Sequence, residues 1–215
     1  MSIRSTASRA EGNTAIDRSK ITGVILAGGK GRRLDGQDKG LVVLAGKPLI
    51  EHVIERLQPQ VGELLINANR NLSVYAGCGF PVVADRMKDF QGPLAGLAAA
   101  LDAAKGDYVV TAPCDGPLLP ADLVSRLAHA LSITPSASIA VVSLSGWLQP
   151  VYALLKHDVR ENLEHFLSTG ERRVGKWIKS ENMVTVDFSN EAECFQNVNT
   201  LQDQQTLEAI LQGSD

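Results

Sequence analysis

From Ile21 onward the apolar positions follow two alternating rhythms. Short β-rich runs lie at Ile21–Leu26, 41–44, Glu63–Asn67, 81–84, 107–111, 138–143, 148–155 and 184–188. Between them apolar residues recur three and four apart. In 48–58, Leu49, Ile50, Val53, Ile54 and Leu57 share one helical face, and Pro48 opens the first turn. The same period predicts helices at 94–105, 120–131, 158–168 and 201–211. Gly106 and Gly170 stop two of them, and Pro120 starts another. No internal repeat is present.

Strands alternating with helices predict βαβ units, and hence an α/β fold with a mostly parallel sheet covered on both faces. Ligands of such sheets bind beyond the carboxyl ends of the strands. The loops after Leu26, Asn67, Ala84 and Thr111 should therefore meet at one site. That would gather Ala27-Gly28-Gly29, Asn67-Ala68-Asn69-Arg70, Asp85-Arg86 and Cys114-Asp115.

The glycine-rich segment after the first strand suits a polyphosphate, because glycines let backbone N–H groups approach an anion. It is not a Walker A loop, since neither Lys30 nor Lys47 has the required upstream glycine. It also fails the dinucleotide fingerprint. Leu34 stands where the third glycine belongs, and the second strand ends in Asn67-Ala68-Asn69 rather than an acidic residue.

Composition narrows the field further. The chain has 215 residues, 44% hydrophobic and 21% charged, with a formal charge of −3. These are ordinary globular proportions, which exclude a disordered, collagen-like or disulfide-stapled chain. The three cysteines, Cys78, Cys114 and Cys194, form no CxxC or Cys/His cluster. That pattern points to a reducing, cytoplasmic setting and away from zinc. No apolar run approaches the ~20 residues of a membrane helix. Residues 1–20 lack the apolar core of a secretory signal and are expected to be a disordered extension before a single domain, 21–215.

The charge is unevenly spread. Residues 30–47 hold Lys30, Arg32, Arg33, Lys39 and Lys47 against Asp35 and Asp38, a local excess of three. Residues 170–180 hold Arg172, Arg173, Lys176 and Lys179 against Glu171, again an excess of three. Removing those six positive charges from a chain at −3 leaves the remainder at −9. Two cationic patches on an acidic body suit two phosphorylated ligands and count against a nucleic-acid partner.

The order of blocks now supports a resemblance. Leu26-Ala27-Gly28-Gly29, Gly31-Arg32-Arg33, Gly36, Asp38-Lys39 and Gly46-Lys47-Pro48-Leu49 resemble the opening signature of bacterial nucleotidyltransferases with a Rossmann-like GT-A-type fold. The later blocks resemble the molybdenum cofactor guanylyltransferase family within them. These are Asn67-Ala68-Asn69-Arg70, Asp85 with Gly92-Pro93-Leu94-Ala95-Gly96, Pro113-Cys114-Asp115 with Pro117, Gly170-Glu171-Arg172-Arg173 and Asn197-Val198-Asn199-Thr200. The resemblance runs from Ile21 to the end. Two positions depart from it. Leu34-Asp35 replaces the usual Met-Gly, and Gly116 replaces a frequent threonine.

The resemblance implies a Rossmann-like three-layer α/β/α fold with a mostly parallel, mixed central sheet. Its nucleotide-binding half would be about 21–120 and its acceptor-binding half about 121–215. It implies transfer of GMP from GTP to the phosphate of molybdenum-molybdopterin with release of pyrophosphate. Mg²⁺ would assist, with Asp115 as its ligand. Lys39 would be the phosphate clamp, assisted by Arg33, and the two with Asp115 would be the catalytic set. Leu26, Ala27, Gly28, Gly29, Lys39, Asn67, Asp85 and Asp115 would hold the nucleotide. Cytidylyl relatives tend to have alanine where this chain has Gly28, which favours guanine. Arg172, Arg173, Asn197 and Asn199 would hold the acceptor.

Each assignment has a plainer alternative. Asp115 in Asp-Gly-Pro suits a turn, Asp85 suits a turn or a second metal ligand, and the arginines suit a solvated helix face. Trp147 and Trp177 are expected to pack, with stacking on a pterin as the alternative. A monomer is expected, with transient contact to cofactor-synthesis proteins and recipient molybdoenzymes. Two competing functions remain open: a cytidylyl- or sugar-phosphate nucleotidyltransferase on the same scaffold, and a non-catalytic carrier of the finished cofactor.

Overall fold

The computed structural model describes residues 15–28, 38–86 and 92–212. The first strand, β1 (Ile21–Leu26), is buried along nearly its whole length. A hairpin of β2 (Val43–Leu44) and β3 (Lys47–Pro48) turns through Ala45 and Gly46, both at positive φ, and leads into α1 (Leu49–Leu57). Next come β4 (Glu63–Asn67), α2 (Leu72–Ala76), β5 (Val82–Val83), α3 (Pro93–Ala103) and β6 (Tyr108–Pro113). The second half runs α4 (Leu123–Ile133), β7 (Ile139–Leu144), β8 (Trp147–Lys156), α5 (Arg160–Ser168), α6 (Val174–Ser180), β9 (Met183–Asp187) and α7 (Leu201–Gln212).

Among the described residues, seven strands form one sheet in the order β5-β4-β1-β6-β8-β7-β9. The pairs β5/β4, β4/β1, β1/β6 and β7/β9 are parallel, and β8 runs antiparallel to both neighbours. The sheet is therefore mixed but mostly parallel. The chain leaves β1 towards β4 and β5, then returns to β6 on the other side. This reversal opens a crevice at the carboxyl ends of β1 and β6, the topological switch point of an α/β sheet.

Helices cover both faces because the strands are apolar on both. On one side Ile50, Val53 and Leu57 of α1 and Leu123, Leu127 and Leu131 of α4 pack on the sheet with Phe188 and Phe195. On the other side Leu94, Leu97 and Leu101 of α3 pack with Leu163 and Leu167 of α5 and Trp177 and Ile178 of α6. A smaller cluster joins Leu44 and Leu49 of the hairpin region to Leu207 of α7. The result is the three-layer α/β/α fold.

Several elements differ from the sequence expectation for physical reasons. Only Val43–Leu44 of the 41–44 run pairs as a strand, while Leu41 completes a tight turn. Helix α4 starts at Leu123 rather than 120, because Gln60 caps it: its side-chain oxygen accepts from Val124 N–H (2.9 Å), and its amide donates to the Pro120 carbonyl (2.9 Å). The short helices α2 and α6 were missed. Both bury only one or two residues, so neither shows a full apolar stripe. Residues 15–20 are not a loose extension. Ile16 packs on the core, and Arg18 donates to the Pro59 carbonyl at 2.6 Å. Residues 1–14 lie outside the described part.

Candidate active site

Backbone hydrogen bonds tie the strand-end loops together. Ala27 N–H donates to Asn67 O (2.8 Å), Ala68 N–H to Val83 O (3.1 Å), Cys114 N–H to Leu26 O (3.1 Å) and Val198 N–H to Asp115 O (2.9 Å). The loops following β1, β4, β5 and β6 thus meet at one end of the sheet. The 197–199 loop joins them from the end of the chain.

Two polar clusters stand there. In the first, the Lys39 ammonium donates to Asp115 Oδ2 (2.7 Å) and to Asn199 Oδ1 (2.6 Å). Lys39 comes from a tight turn after the glycine-rich segment, Asp115 from the end of β6, and Asn199 from just before α7. The side chains of Asp115 and Lys39 are 10% and 25% exposed, so the pair is half-desolvated yet open on one side. Beside it, the buried Tyr152 hydroxyl of β8 donates to Asn197 Oδ1 at 3.4 Å. Burial, reinforced by Asp115 and Cys114, raises the affinity of that phenol for its proton. A side chain at Gly116 would overlap the Tyr152 hydroxyl. The tyrosine therefore occupies the space that a threonine at 116 would need. Burial also raises the neighbouring Cys114 thiol well above the ordinary cysteine range, so this cysteine is not an activated nucleophile.

In the second cluster, Asn67 Nδ2 donates to Asp85 Oδ1 (2.8 Å) and to Val83 O (3.1 Å), and Asn69 Nδ2 donates to Asp85 Oδ2 (2.8 Å). Asp85 N–H returns a bond to Asn69 Oδ1 at 2.8 Å. The carboxylate is held at both oxygens. Gly96 of α3 lies against the Asn67 side chain, where any Cβ would overlap the amide. Gly28 is pressed between Asn67 and Asn69 in the same way, which ties the β1 loop to this cluster.

Sequence reasoning missed a third feature that supports the first cluster. Asp38, next to Lys39, is 8% exposed. Its carboxylate accepts from the Tyr75 hydroxyl (2.5 Å) and Asn71 Nδ2 (3.0 Å), and pairs with Arg70 Nε (3.2 Å). The only sequence signal was Asp38 preceding Lys39; its partners lie more than thirty residues away, on and before a helix too short to recognise.

The other predicted residues fall as follows. Leu26, Ala27, Gly28, Lys39, Asn67, Asp85, Asp115, Asn197 and Asn199 gather at the carboxyl end of the sheet. Gly29 and Arg33, with the rest of residues 29–37, lie outside the described part. Lys47 pairs on the surface with Glu55 (2.6 Å). Arg172 Nη1 donates to the carbonyls of Leu167 and Glu171, both at 2.7 Å. Its own carbonyl lies beside Gly92, at the start of α3. Arg173 and Lys176 both bind Glu171 (2.7 Å each), so this cationic segment is partly neutralised from within. Their bonds hold the Glu171 carboxyl far below the usual carboxylate range. Trp177 is fully buried, as expected, whereas Trp147 is 78% exposed at the β7–β8 hairpin.

The family model described as the MobA-like NTP transferase domain matches residues 23–186. The chain belongs to the MobA-like NTP transferase family. The match spans the Asn67–Asp85 cluster and Asp115, and stops short of Asn197 and Asn199. A protein named molybdenum cofactor guanylyltransferase from Shewanella putrefaciens is 48% identical over 185 residues, covering 86% of this chain and 94% of the relative. One of the same name from Polynucleobacter asymbioticus is 46% identical over 199 residues, covering 91% of this chain and all of the relative. The fold is shared with the crystal structure of molybdopterin-guanine dinucleotide biosynthesis protein A from Archaeoglobus fulgidus. That structure superposes with a TM-score of 0.74 at 24% identity, over 89% of this chain and 99% of the other. Family membership makes the chain a nucleotidyltransferase. Among the described residues no helix is long and apolar enough to cross a membrane.

Proposed function

We propose that the protein transfers GMP from GTP to the phosphate of molybdenum-molybdopterin and releases pyrophosphate. The Lys39–Asp115–Asn199 cluster carries this reading: a cation and a carboxylate side by side at the carboxyl end of the sheet suit polyanionic substrates. The names of relatives nearly half identical over most of the chain supply the substrate class.

The chemistry asks little of acid–base groups. The acceptor phosphate is already ionised at neutral pH. One of its oxygens attacks the α-phosphorus of GTP, the bond from that phosphorus to the α–β bridging oxygen breaks, and pyrophosphate leaves with the electron pair. Such transfer depends on positioning and charge neutralisation. Lys39 exchanges its carboxylate partner for phosphate oxygens, and Arg33 assists from the glycine-rich segment. Backbone groups of Leu26, Ala27, Gly28 and Gly29 flank the nucleotide.

Asp115 fits a magnesium ion, which usually takes one or two carboxylates and fills its remaining positions with phosphate oxygens and water. Bound there, the ion would neutralise charge on the phosphates. Asn67 and Asp85 face the nucleoside. Arg172, Arg173, Asn197 and Asn199 hold the acceptor, so residues 21–120 serve the nucleotide and 121–215 the acceptor. The protein acts as a monomer in the cytoplasm and meets cofactor-synthesis proteins and recipient molybdoenzymes transiently.

The test is incubation with GTP, Mg²⁺ and molybdenum-loaded molybdopterin, following pyrophosphate and the guanine dinucleotide, with CTP in parallel. Formation of both products from GTP supports the reading. A preference for CTP removes the guanine assignment.

A further inference from the structure

Asn69 makes two hydrogen bonds with Asp85, whereas Asn67 makes one. The Asn69 amide donates to Asp85 Oδ2 at 2.8 Å, and its carbonyl accepts from Asp85 N–H at 2.8 Å. The two contacts close a ring that fixes both the backbone and the side chain of Asp85. Asn67 fixes the other carboxylate oxygen at 2.8 Å. A carboxylate with one donor on each oxygen cannot rotate, and each oxygen keeps a lone pair for a further donor. Guanine offers two parallel donors, N1–H and the exocyclic amine, which a fixed carboxylate can accept together.

We infer that Asn69 is a positioning residue for base selection, holding the Asp85 carboxylate in the plane that accepts both guanine donors. The inference rests on the reading of Asp85 as the nucleoside contact. It also gives glycine at position 28 a role. A Cβ there would stand 2.9 Å from Asn69 Nδ2. The contact is relieved by a shift of the Asn69 amide, which is the group that donates to Asp85 Oδ2. Alanine at 28 and loss of the amide at 69 should therefore act through the same carboxylate.

Inosine triphosphate separates base reading from folding, because it keeps N1–H and lacks the exocyclic amine. Pyrophosphate release is measured with GTP and with ITP for the full-length protein, together with thermal unfolding. The unchanged chain should prefer GTP by kcat/KM. Asn69→Leu should reduce that preference about tenfold, the scale set by one hydrogen-bonded group in a selective site, mainly by raising the KM for GTP. Gly28→Ala should reduce it similarly, and the double variant should lose little more than either alone.

Two results would overturn the inference while sparing the Asp85 reading. One is an unchanged GTP:ITP ratio in Asn69→Leu when Asp85→Asn abolishes the preference. The other is an equal loss with both nucleotides alongside a lowered melting temperature, which would make Asn69 a loop fastener. If Asp85→Asn itself leaves the ratio unchanged, Asp85 does not read the base, and the inference falls with that reading.

Discussion

At the end of β6 a lysine ammonium rests on a carboxylate, whereas at the ends of β4 and β5 two amides grip one. The Lys39–Asp115 pair brings together full charges from distant parts of the chain. Partial burial costs each charge some hydration, and their mutual attraction offsets that cost only while both are present. Such a pair is easily redirected by an incoming polyanion or metal ion. The Asn67–Asn69–Asp85 group uses neutral donors to hold its single charge, and packing by Gly96 and Gly28 leaves it little room to move. The difference in construction suggests a division of labour, with rate arising at the first cluster and nucleotide choice at the second.

Removing Asp115 should break the comparison most severely. Asp115→Ala should lower the turnover number by about a thousandfold, on the order of 4 kcal/mol of transition-state stabilisation, as measured by pyrophosphate release at saturating GTP. It should leave the GTP:CTP preference intact. A variant that still forms the dinucleotide at the normal rate would favour a carrier role or a different metal ligand. Lys39→Ala should cost about a hundredfold in kcat/KM for GTP, comparable to the loss of one charged donor to a developing anion. Unchanged GTP binding and turnover would refute the clamp.

How far the sequence revealed these clusters depends on how local each one is. The glycine-rich segment and the strand-end rule pointed to the carboxyl ends of β1, β4, β5 and β6, although Asp-Gly-Pro also suited a plain turn. Asp115, Asn67 and Asp85 follow those strands directly, so their shared location is legible in the sequence. Topology could not show that Lys39 would reach Asn199, 160 residues away in sequence. Nor could it show that the second cationic segment would turn inward onto Glu171. Asp38 was hidden for the same reason: a buried carboxylate is recognised by its partners, and Tyr75 sits on a five-residue helix with no readable period. The strands and long helices were legible because burial on both faces of a sheet writes a regular pattern. Short elements bury too little to do so.

The second cluster can be sharpened through its packing. Gly96→Ala drives a methyl group into the Asn67 amide, an overpacking that typically costs about 1–3 kcal/mol. If the cluster serves binding, the KM for GTP should rise about tenfold with kcat nearly unchanged, the signature of lost uniform binding. A matching fall in kcat would place Asn67 in the transition state and blur the division between the clusters. Tyr75→Phe tests the support beneath the first cluster. It removes one hydrogen bond from the buried Asp38 and should cost about 1–2 kcal/mol of stability, or a melting temperature lower by roughly 2–8 °C. An unchanged melting temperature would show that Asn71 and Arg70 suffice.

Arg173 offers the mildest test, because it resembles Lys39 in chemistry but not in setting. Both are cations paired with a carboxylate at 2.7 Å. The Lys39 side chain is 25% exposed, while that of Arg173 is 74% exposed. Water and salt screen an exposed charge, and its pairing contributes little to structure. Glu171 also keeps Lys176 as a partner when Arg173 is lost. Arg173→Ala should therefore leave folding and the KM for GTP unchanged and raise the KM for molybdenum-molybdopterin only about two- to threefold at low salt. The difference should vanish near 1 M salt, where the screening length falls to about 3 Å. An effect above tenfold that persists in high salt would mean that Arg173 holds the acceptor phosphate not as an exposed, screened charge but by leaving Glu171 for a desolvated contact. Arg173 would then belong with Lys39 as a charge that changes partners during the reaction, and rate control would extend into the acceptor half.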